Sequence, residues 1–519
     1  MLFNSYEFIF AYLPITIAAF FAIARYSRSL AAIWLFAASL FFYGWWNPAY
    51  IALLVGSILF NFSIGSAISR EYKRQADRKI KWFLFFGVAS DLALLAYFKY
   101  ANFFLTNTNE LLGTDWHIAT IILPLGISFF TFTQIAFLVD ASRGYVKETN
   151  FIHYGLFVTY FPHLIAGPIL HHKEMMPQFS LDKTYRFNWE NISVGLTVFT
   201  IGLFKKTVLA DGIAPFASPV FSAAADGATL TLIEAWCGVL AYTLQLYFDF
   251  SGYSDMAIGA SRMLGIKLPI NFNSPYKATS IIDFWRRWHL TLSRFLRDYL
   301  YFTLGGNKKG TIRRYLNLMT TMLLGGLWHG AGWTFVIWGG LHGLYLSINH
   351  AWRKVRLTLI GDRAVGTIER FTGIVLTFFS VVVGWAFFRA SDTTSALHIL
   401  QAMAGSNGIT IPKNWPWAWS INAALERIGF NTELGIPISN FDPNGTCLYW
   451  IVVLMTIACV MPNTQQFMAS FAPALESATT LANRPKWLPS MGWAITFGIA
   501  AAISVLHLSN VTEFLYFQF

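Results

Sequence analysis

The sequence predicts an all-α, polytopic integral membrane protein. Of its 519 residues, 55% are hydrophobic, 18% are aromatic and only 12% are charged, whereas about a quarter of the residues of a soluble domain are charged. Its 20 tryptophans and 22 tyrosines fit a surface that faces lipid, because these residues are enriched at the headgroup level. Apolar runs recur along the whole chain, so we expect one membrane domain that covers residues 1–519.

The expected helices follow from apolar segments of membrane-spanning length. A helix needs about 20 apolar residues to cross the hydrocarbon, and several segments are shorter or are broken by glycine and proline, so we expect about 11 to 13 transmembrane or re-entrant helices. The first segment lacks a basic region before it and a cleavage site after it, and is therefore a retained helix. The segments are 8–24, 30–46, 49–68, 82–98, 118–139, 151–170, 192–210, 232–250, 315–328, 333–350, 371–389, 448–461 and 491–508.

The basic residues predict the orientation. They are concentrated at 70–81, 305–314 and 353–370, and short basic loops stay in the cytoplasm. This assignment places the N-terminus outside, together with the proline-containing polar loop 404–447. That loop is either a linker or a docking surface for an external partner. The net charge of +11 is explained by the same loops, so we do not expect nucleic-acid binding.

The cysteines and the missing sequence motifs argue against disulfide-bonded, metal-binding and serine-hydrolase proteins. Cys237, Cys447 and Cys459 show neither a CxxC spacing nor an even count, so neither a disulfide framework nor a zinc site is expected. The histidines show no metal-ligand spacing, and no metal is expected. There is no GxSxG elbow, Walker-type loop or GxGxxG motif, which argues against an internal serine-hydrolase module.

A histidine at membrane depth is the first candidate for chemistry. His329 lies in the apolar segment Leu323–Trp333, between glycines that allow close backbone approach. A neutral imidazole can accept a proton from a hydroxyl during acyl transfer. The alternative is a buried histidine that only bonds a neighbouring helix.

An arginine-rich stretch, Asp283–Tyr301, is the second candidate. At 3.6 residues per turn, Arg287, Arg294 and Arg297 share one face of a regular helix, which is typical of an amphipathic helix at the cytoplasmic interface. The alternative is that the arginines bind the phosphates of a coenzyme A or phosphopantetheine donor. His289, one turn from Trp285, then points toward the reaction cavity.

Two carboxylates, Asp249 and Asp255, flank a glycine in the segment Tyr247–Gly259. We expect them to cap helix ends with the help of neighbouring serines, and the alternative is that they orient a histidine. His163, in a segment broken by proline and glycine, is expected to be structural.

Eight sequence motifs, in the same order and across nearly the whole chain, resemble the membrane-bound O-acyltransferase family, in the branch that O-acetylates alginate. They are Met1–Ser5, Ser39–Trp46, Leu123–Phe132, Phe161–Pro168, Tyr247–Asp255, Phe284–His289, Leu324–Gly330 and the closing Tyr516–Phe519.

The resemblance implies helices around a central tunnel in a bacterial inner membrane, with the N-terminus in the periplasm. It implies that His329 is the family's membrane-embedded histidine and His289 its upstream partner. It also implies that acetyl passes to periplasmic partners with an SGNH-type serine site, which modify an exported polysaccharide such as alginate.

The combined hypothesis is a membrane O-acetyltransferase with no bound cofactor and with acetyl-CoA or another acyl thioester as donor. Arg286, Arg287, Arg294 and Trp285 bind the donor, and His329 is the base or relay. Asp249 and Asp255 support the site, and His289 orients the donor or the hydroxyl. The rival functions are a lipid-linked sugar transporter or flippase and a non-catalytic scaffold for polysaccharide export.

Overall fold

The computed structural model describes residues 1–119, 121–147, 150–165, 167–361, 363–439, 442, 444–476, 486–509 and 515. The closing motif Tyr516–Phe519 and one residue of the motif Phe161–Pro168 lie outside these residues. The α-helices are α1 (Leu13–Ala24), α2 (Arg28–Gly44), α3 (Ala49–Lys73), α4 (Asp77–Leu95), α5 (Ala101–Leu112), α6 (Ile127–Ser142), α7 (Phe151–Thr159), α8 (Phe161–Leu164), α9 (His172–Phe179), α10 (Trp189–Phe204), α11 (Asp211–Ala225), α12 (Leu232–Met263), α13 (Ile281–Trp285), α14 (Leu290–Phe295), α15 (Thr311–His329), α16 (Trp333–Ile360), α17 (Thr367–Arg389), α18 (Thr393–Met403), α19 (Ala418–Arg427), α20 (Thr446–Val460), α21 (Thr464–Phe467) and α22 (Met491–Leu506).

Several helices contain or continue into segments with a different winding. The π-helical segments are Glu7–Tyr12, Ala96–Tyr100, Lys205–Ala210 and Leu296–Tyr301. Short 3₁₀ turns are found at Asp182–Tyr185, Pro275–Lys277 and Ala469–Phe471. π-Helical turns are rare and are frequent at functional sites, and two of those in this chain border the residues discussed below.

The helices confirm the predicted fold class. Among the described residues, five helical stretches are long and apolar enough to cross a membrane, and shorter apolar helices accompany them, such as α2, α6, α20 and α22. The number of spans and the central tunnel stay predictions. The five stretches are Glu7–Ala24, Ala49–Lys73, Asp77–Leu112, Trp189–Ala225 and Thr367–Arg389.

The first of two compact units comprises Met1–Phe204, Gly252–Asn271 and Thr464–Gln518. Its core is aromatic: the ring of Phe8 lies 4.7 Å from that of Phe3 and 5.8 Å from that of Phe42. Side-chain caps start several of its helices, as where Ser27 accepts the backbone N–H of Leu30 at the start of α2. The expected structural role of His163 fits its burial and its 2.9 Å contact with the carbonyl of Phe157.

The second unit comprises Lys205–Ser251 and Phe272–Asn463. Helices α15 and α16 form its central hairpin, and α17 packs against α16. A methyl group on Gly326 of α15 would stand 2.2 Å from the carbonyl oxygen of Phe335 on α16, so only glycine allows this approach. The hairpin brings the end of α15 against the start of α16 and so positions the candidate site.

The polar loop 404–447 belongs to the second unit and has its own folded structure. Strand β1 (Ile409–Pro412) pairs in parallel with β2 (Thr432–Gly435), and α19 connects them. Buried Glu234 of α12 anchors the end of this insertion, because its carboxylate accepts the backbone N–H and the hydroxyl of Ser439, each at 3.0 Å. The described residues of the loop are therefore folded, and its role as a linker or as a docking surface stays a prediction.

Candidate active site

His329 is the last residue of α15, at the turn into α16. Its side chain is 8% exposed and lies among aromatic rings. The imidazole stands 4.7 Å from the ring of Trp328, 5.0 Å from that of Trp338 and 5.1 Å from that of Phe388. A neutral imidazole in such a place can accept a proton from a hydroxyl group.

His289 also lies close to Trp328. Its ring is 0% exposed and stands 6.2 Å from the indole of Trp328 and 4.8 Å from the ring of Phe250. The rings of both predicted histidines therefore lie close to one tryptophan, although 40 positions separate them in the sequence. The catalytic roles of the two histidines stay predictions.

The arginine-rich stretch is not one regular helix, and the prediction that Arg287, Arg294 and Arg297 share a continuous helical face is wrong. Helix α13 ends at Trp285, α14 starts at Leu290, and a π-helical segment follows it. The break is stabilised by a 2.9 Å hydrogen bond from the backbone N–H of Asn273 to the carbonyl of Arg287.

The break between α13 and α14 determines the backbone conformation of His289 and the direction of its ring. This residue has the left-handed backbone conformation, with φ 41° and ψ 55°, which costs free energy in a residue with a β-carbon. Its carbonyl accepts the N–H of Ser293 in the first turn of α14. Backbone strain of this kind is concentrated at functional sites, and here it turns the His289 ring into the core.

The side chains predicted to bind the donor differ in their exposure and in how many hydrogen bonds they already make within the protein. Arg287 is held by Asp283 at 2.9 Å and donates to the carbonyl of Asn273 at 3.3 Å. Trp285 donates its indole N–H to Nδ1 of His342 at 3.3 Å. Arg286 is exposed and Arg294 half-buried. Arg286 is therefore the most accessible of the predicted arginines.

Arg286 belongs to a basic cluster that sequence reasoning missed. It lies with Arg314 of α15 and Arg353 of α16 close enough to His350 for all three charges to act on that ring. The guanidinium of Arg314 also covers the ring of Tyr315, 4.9 Å from its centroid. Each of the three elements thus contributes positive charge near His350, and arginine is well suited to bind phosphate.

Asp249 does not cap a helix, and that prediction is wrong. It lies within the 32-residue α12, which continues through the neighbouring glycine, since glycine is tolerated in membrane helices. Its carboxylate pairs with Nζ of Lys206 at 2.8 Å, and the same amine contacts Asp211 at 2.7 Å. All three side chains are nearly fully buried, so they form a buried ionic triad.

Asp255 is also inside α12 and caps no helix end, so the same correction applies to it. It belongs to the first unit, where it accepts the hydroxyl of Thr464 at 2.6 Å and the amide of Gln465 at 3.4 Å. Its hydrogen bonds hold α21 against α12. The structure thus gives Asp255 a role within the first unit.

His342 is a further buried histidine that the sequence analysis passed over. It is 0% exposed on α16, with its ring 4.8 Å from that of Trp338. The available signal was a polar residue inside an apolar helix, which is a functional candidate by default. Only its metal-ligand spacing was considered, so that signal was not used. We name His289, Trp328, His329, Trp338 and His342 the histidine cluster.

The chain is similar to proteins that transfer acyl groups. The model of the membrane-bound O-acyltransferase family matches residues 40–358, a range that contains the whole histidine cluster. A peptidoglycan O-acetyltransferase of Helicobacter pylori is 44% identical over 79% of this chain and 81% of its own length. A probable alginate O-acetylase of Pseudomonas aeruginosa is 37% identical over the full length of both chains.

A more distant relative is a teichoic acid D-alanyltransferase of Bacillus subtilis, which is 29% identical over 51% of this chain and 68% of its own length. The relatives named O-acetyltransferase and O-acetylase cover most of the chain at well over 30% identity. The family model covers more than half of it. The chain therefore belongs to the membrane-bound O-acyltransferase family and is an acyltransferase of multi-pass membrane architecture.

Proposed function

We propose that this protein takes an acetyl group from a cytoplasmic acyl thioester and passes it across the bacterial inner membrane for O-acetylation of an exported glycan. The two O-acetylating relatives act, by their names, on peptidoglycan and on alginate. Acetyl-CoA is the expected donor, with a carrier-bound thioester as the alternative.

One observation carries this proposal: His289 and His329 approach the same indole in the apolar core of the second unit. In the proposed step, the imidazole of His329 takes the proton of an acceptor hydroxyl, and the hydroxyl oxygen attacks the thioester carbonyl. The new C–O bond forms as the C–S bond breaks, and the protonated imidazole returns its proton to the leaving thiolate. His289 orients one of the two reactants.

The donor's phosphates would bind the basic cluster of Arg286, Arg314 and Arg353. Positive loops favour the cytoplasm, and Arg314 of this cluster closely follows the exposed basic residues Lys308 and Lys309 in sequence. Arg287 would contribute less than the sequence suggested, because Asp283 already neutralises it. The N-terminus is then periplasmic, and the folded insertion 404–447 is available to an SGNH-type partner.

Replacing Arg314 with glutamine is expected to raise the KM for acetyl-CoA about 10-fold or more, because a hydrogen bond to a charged group contributes about 1.5–3 kcal/mol. The kcat should stay nearly constant, since the phosphates do not take part in the chemical step. Arg313→Gln is the matched control, because Arg313 is the exposed neighbour of Arg314 on the same helix. An equal rise in KM in both variants would show a diffuse charge effect and contradict a specific phosphate site.

The proposed function is tested with purified protein in lipid nanodiscs and acetyl-CoA labelled in the acetyl group. We expect release of the free CoA thiol and labelled ester on a glycan hydroxyl, with alginate oligomers and peptidoglycan fragments offered separately. A flippase or a scaffold would leave the thioester intact. Absence of both CoA release and ester with either acceptor, in well-folded protein, would reject acyl transfer by this chain alone.

A further inference from the structure

Two ring N–H groups on α16, those of Trp338 and His342, approach one glycine of α17, and the ring of Trp338 also contacts that of His329. Trp338 and His342 lie four residues apart, so their side chains share one face of the helix. Both are nearly fully buried, with exposed fractions of 1% and 0%. The ring of Trp338 lies between the other two, 5.0 Å from His329 and 4.8 Å from His342.

The contact with Trp285 determines which nitrogen of His342 carries hydrogen. The indole N–H of Trp285 donates to Nδ1 of His342. Nδ1 is therefore the acceptor nitrogen, and the hydrogen of the neutral imidazole is on Nε2. Neither Nε2 of His342 nor Nε1 of Trp338 has a hydrogen-bond acceptor among the described residues, although both atoms are buried from solvent. Native proteins rarely leave buried donors in this state.

Both donors border Gly384 of α17. A β-carbon built on this glycine would stand 3.1 Å from Nε2 of His342 and 3.5 Å from Nε1 of Trp338. The two N–H groups thus approach one small region, which any larger residue at position 384 would fill. Glycine in place of a side chain is a common means of admitting another chemical group close to the backbone.

We propose that the N–H groups of Trp338 and His342 donate hydrogen bonds to the carbonyl oxygen of the acyl group during transfer. This inference rests on the proposed function. When the acceptor hydroxyl adds to the carbonyl carbon and His329 takes its proton, the electron pair of the C=O bond moves onto that oxygen. It returns when the C–S bond breaks. Donors held in place beforehand stabilise the negative charge at that moment.

The direct test is Trp338→Phe, which removes one N–H and keeps an aromatic ring against His329. We expect kcat to fall about 10²–10³-fold, the usual effect of losing one such donor, with the KM for acetyl-CoA unchanged. Trp236→Phe is the control, because its indole N–H already donates to the carbonyl of Met403 at 2.9 Å and its ring packs on Phe379 of α17 at 5.9 Å. This control should retain the kcat of the wild type.

A second variant, Gly384→Ala, places a methyl group between the two donors. It should lower kcat strongly, because the methyl would stand 3.1 Å from Nε2 of His342 and 3.5 Å from Nε1 of Trp338 and occupy the space of the carbonyl oxygen. A spectroscopic readout is the carbonyl stretch of acetyl-CoA carrying ¹³C at the carbonyl. Bound to wild-type protein it should shift to lower frequency, and this shift should shrink in Trp338→Phe.

The outcomes separate this inference from the proposed function. Wild-type protein that transfers no acetyl group would reject the function. Active wild-type protein together with an active Trp338→Phe variant, or with an unchanged carbonyl frequency, would overturn the inference alone. A Trp338→Phe variant that loses stability and keeps kcat would show that the two donors serve only a structural water, and would also overturn it.

Discussion

Replacing His329 with phenylalanine is expected to lower the rate of acetyl transfer by about 10²–10⁴-fold, the usual contribution of a general base. Phenylalanine keeps a ring against Trp338 and Phe388 but cannot take a proton. The KM for acetyl-CoA should change little, because the basic cluster that binds the donor is intact. The measurement is single-turnover release of CoA and formation of labelled ester in nanodiscs.

The control for this variant is His398→Ala. His398 is half-buried on α18, in the same unit as the histidine cluster, and its loss should leave the rate unchanged. The His329→Phe protein must also insert and unfold like the wild type for its rate to be informative. A rate within the range of the control would exclude His329 as the base and leave the chemistry to another group.

The second large effect, a loss of folding stability, is expected from Lys206→Met. This substitution leaves the carboxylates of Asp249 and Asp211 buried next to each other without the amine that neutralises them. Removing one partner of a buried ion pair costs about 3–5 kcal/mol. We expect a corresponding loss in the free energy of unfolding, measured by denaturation in detergent micelles or nanodiscs, together with lower yield of inserted protein.

A triple variant tests whether the loss of stability comes from the unpaired buried carboxylates. Lys206→Met combined with Asp249→Asn and Asp211→Asn removes all three charges, and most of the lost stability should return, because a buried ionic group can be replaced by neutral residues at little cost. Lys413→Met, at an exposed lysine of the insertion, is the control for loss of one positive charge. Equal destabilisation by Lys206→Met and Lys413→Met would contradict a buried triad.

The fold class could be predicted, and the two histidines could be identified as candidates, because their signals are local. Apolar segments of sufficient length fix the existence of helices such as α3 and α17. A histidine among apolar residues, as at position 329, is conspicuous in any membrane helix. The family motifs then linked His289 to His329, and the structure places both rings against Trp328.

The wrong predictions concern where helices break or continue, which depends on residues that are distant in the sequence. The stretch around Arg287 has helical periodicity, yet the N–H of Asn273 and the left-handed conformation of His289 break the helix. Conversely, the glycine between Asp249 and Asp255 suggests a break, but α12 continues through it. Tertiary contacts decide both cases, and no short window of sequence contains them.

The sequence alone also could not show which distant residues come together in the folded chain. Arg286, Arg314 and Arg353 come from three elements and meet near His350 only in the folded chain. The two donors that face Gly384 depend on the packing of α17 against α16. A single sequence identifies the residue types in such a site, whereas the helix contacts determine which of them meet.

The central claim is that an acetyl group from a donor on one side of the membrane reaches a hydroxyl on the other. The most direct measurement uses sealed proteoliposomes with labelled acetyl-CoA enclosed inside and impermeant glycan oligomers outside, with and without an SGNH-type acetyltransferase. The account predicts labelled ester on the external glycan in wild-type vesicles and its loss in His329→Phe vesicles. Label on the glycan only when donor and glycan share one compartment would contradict it.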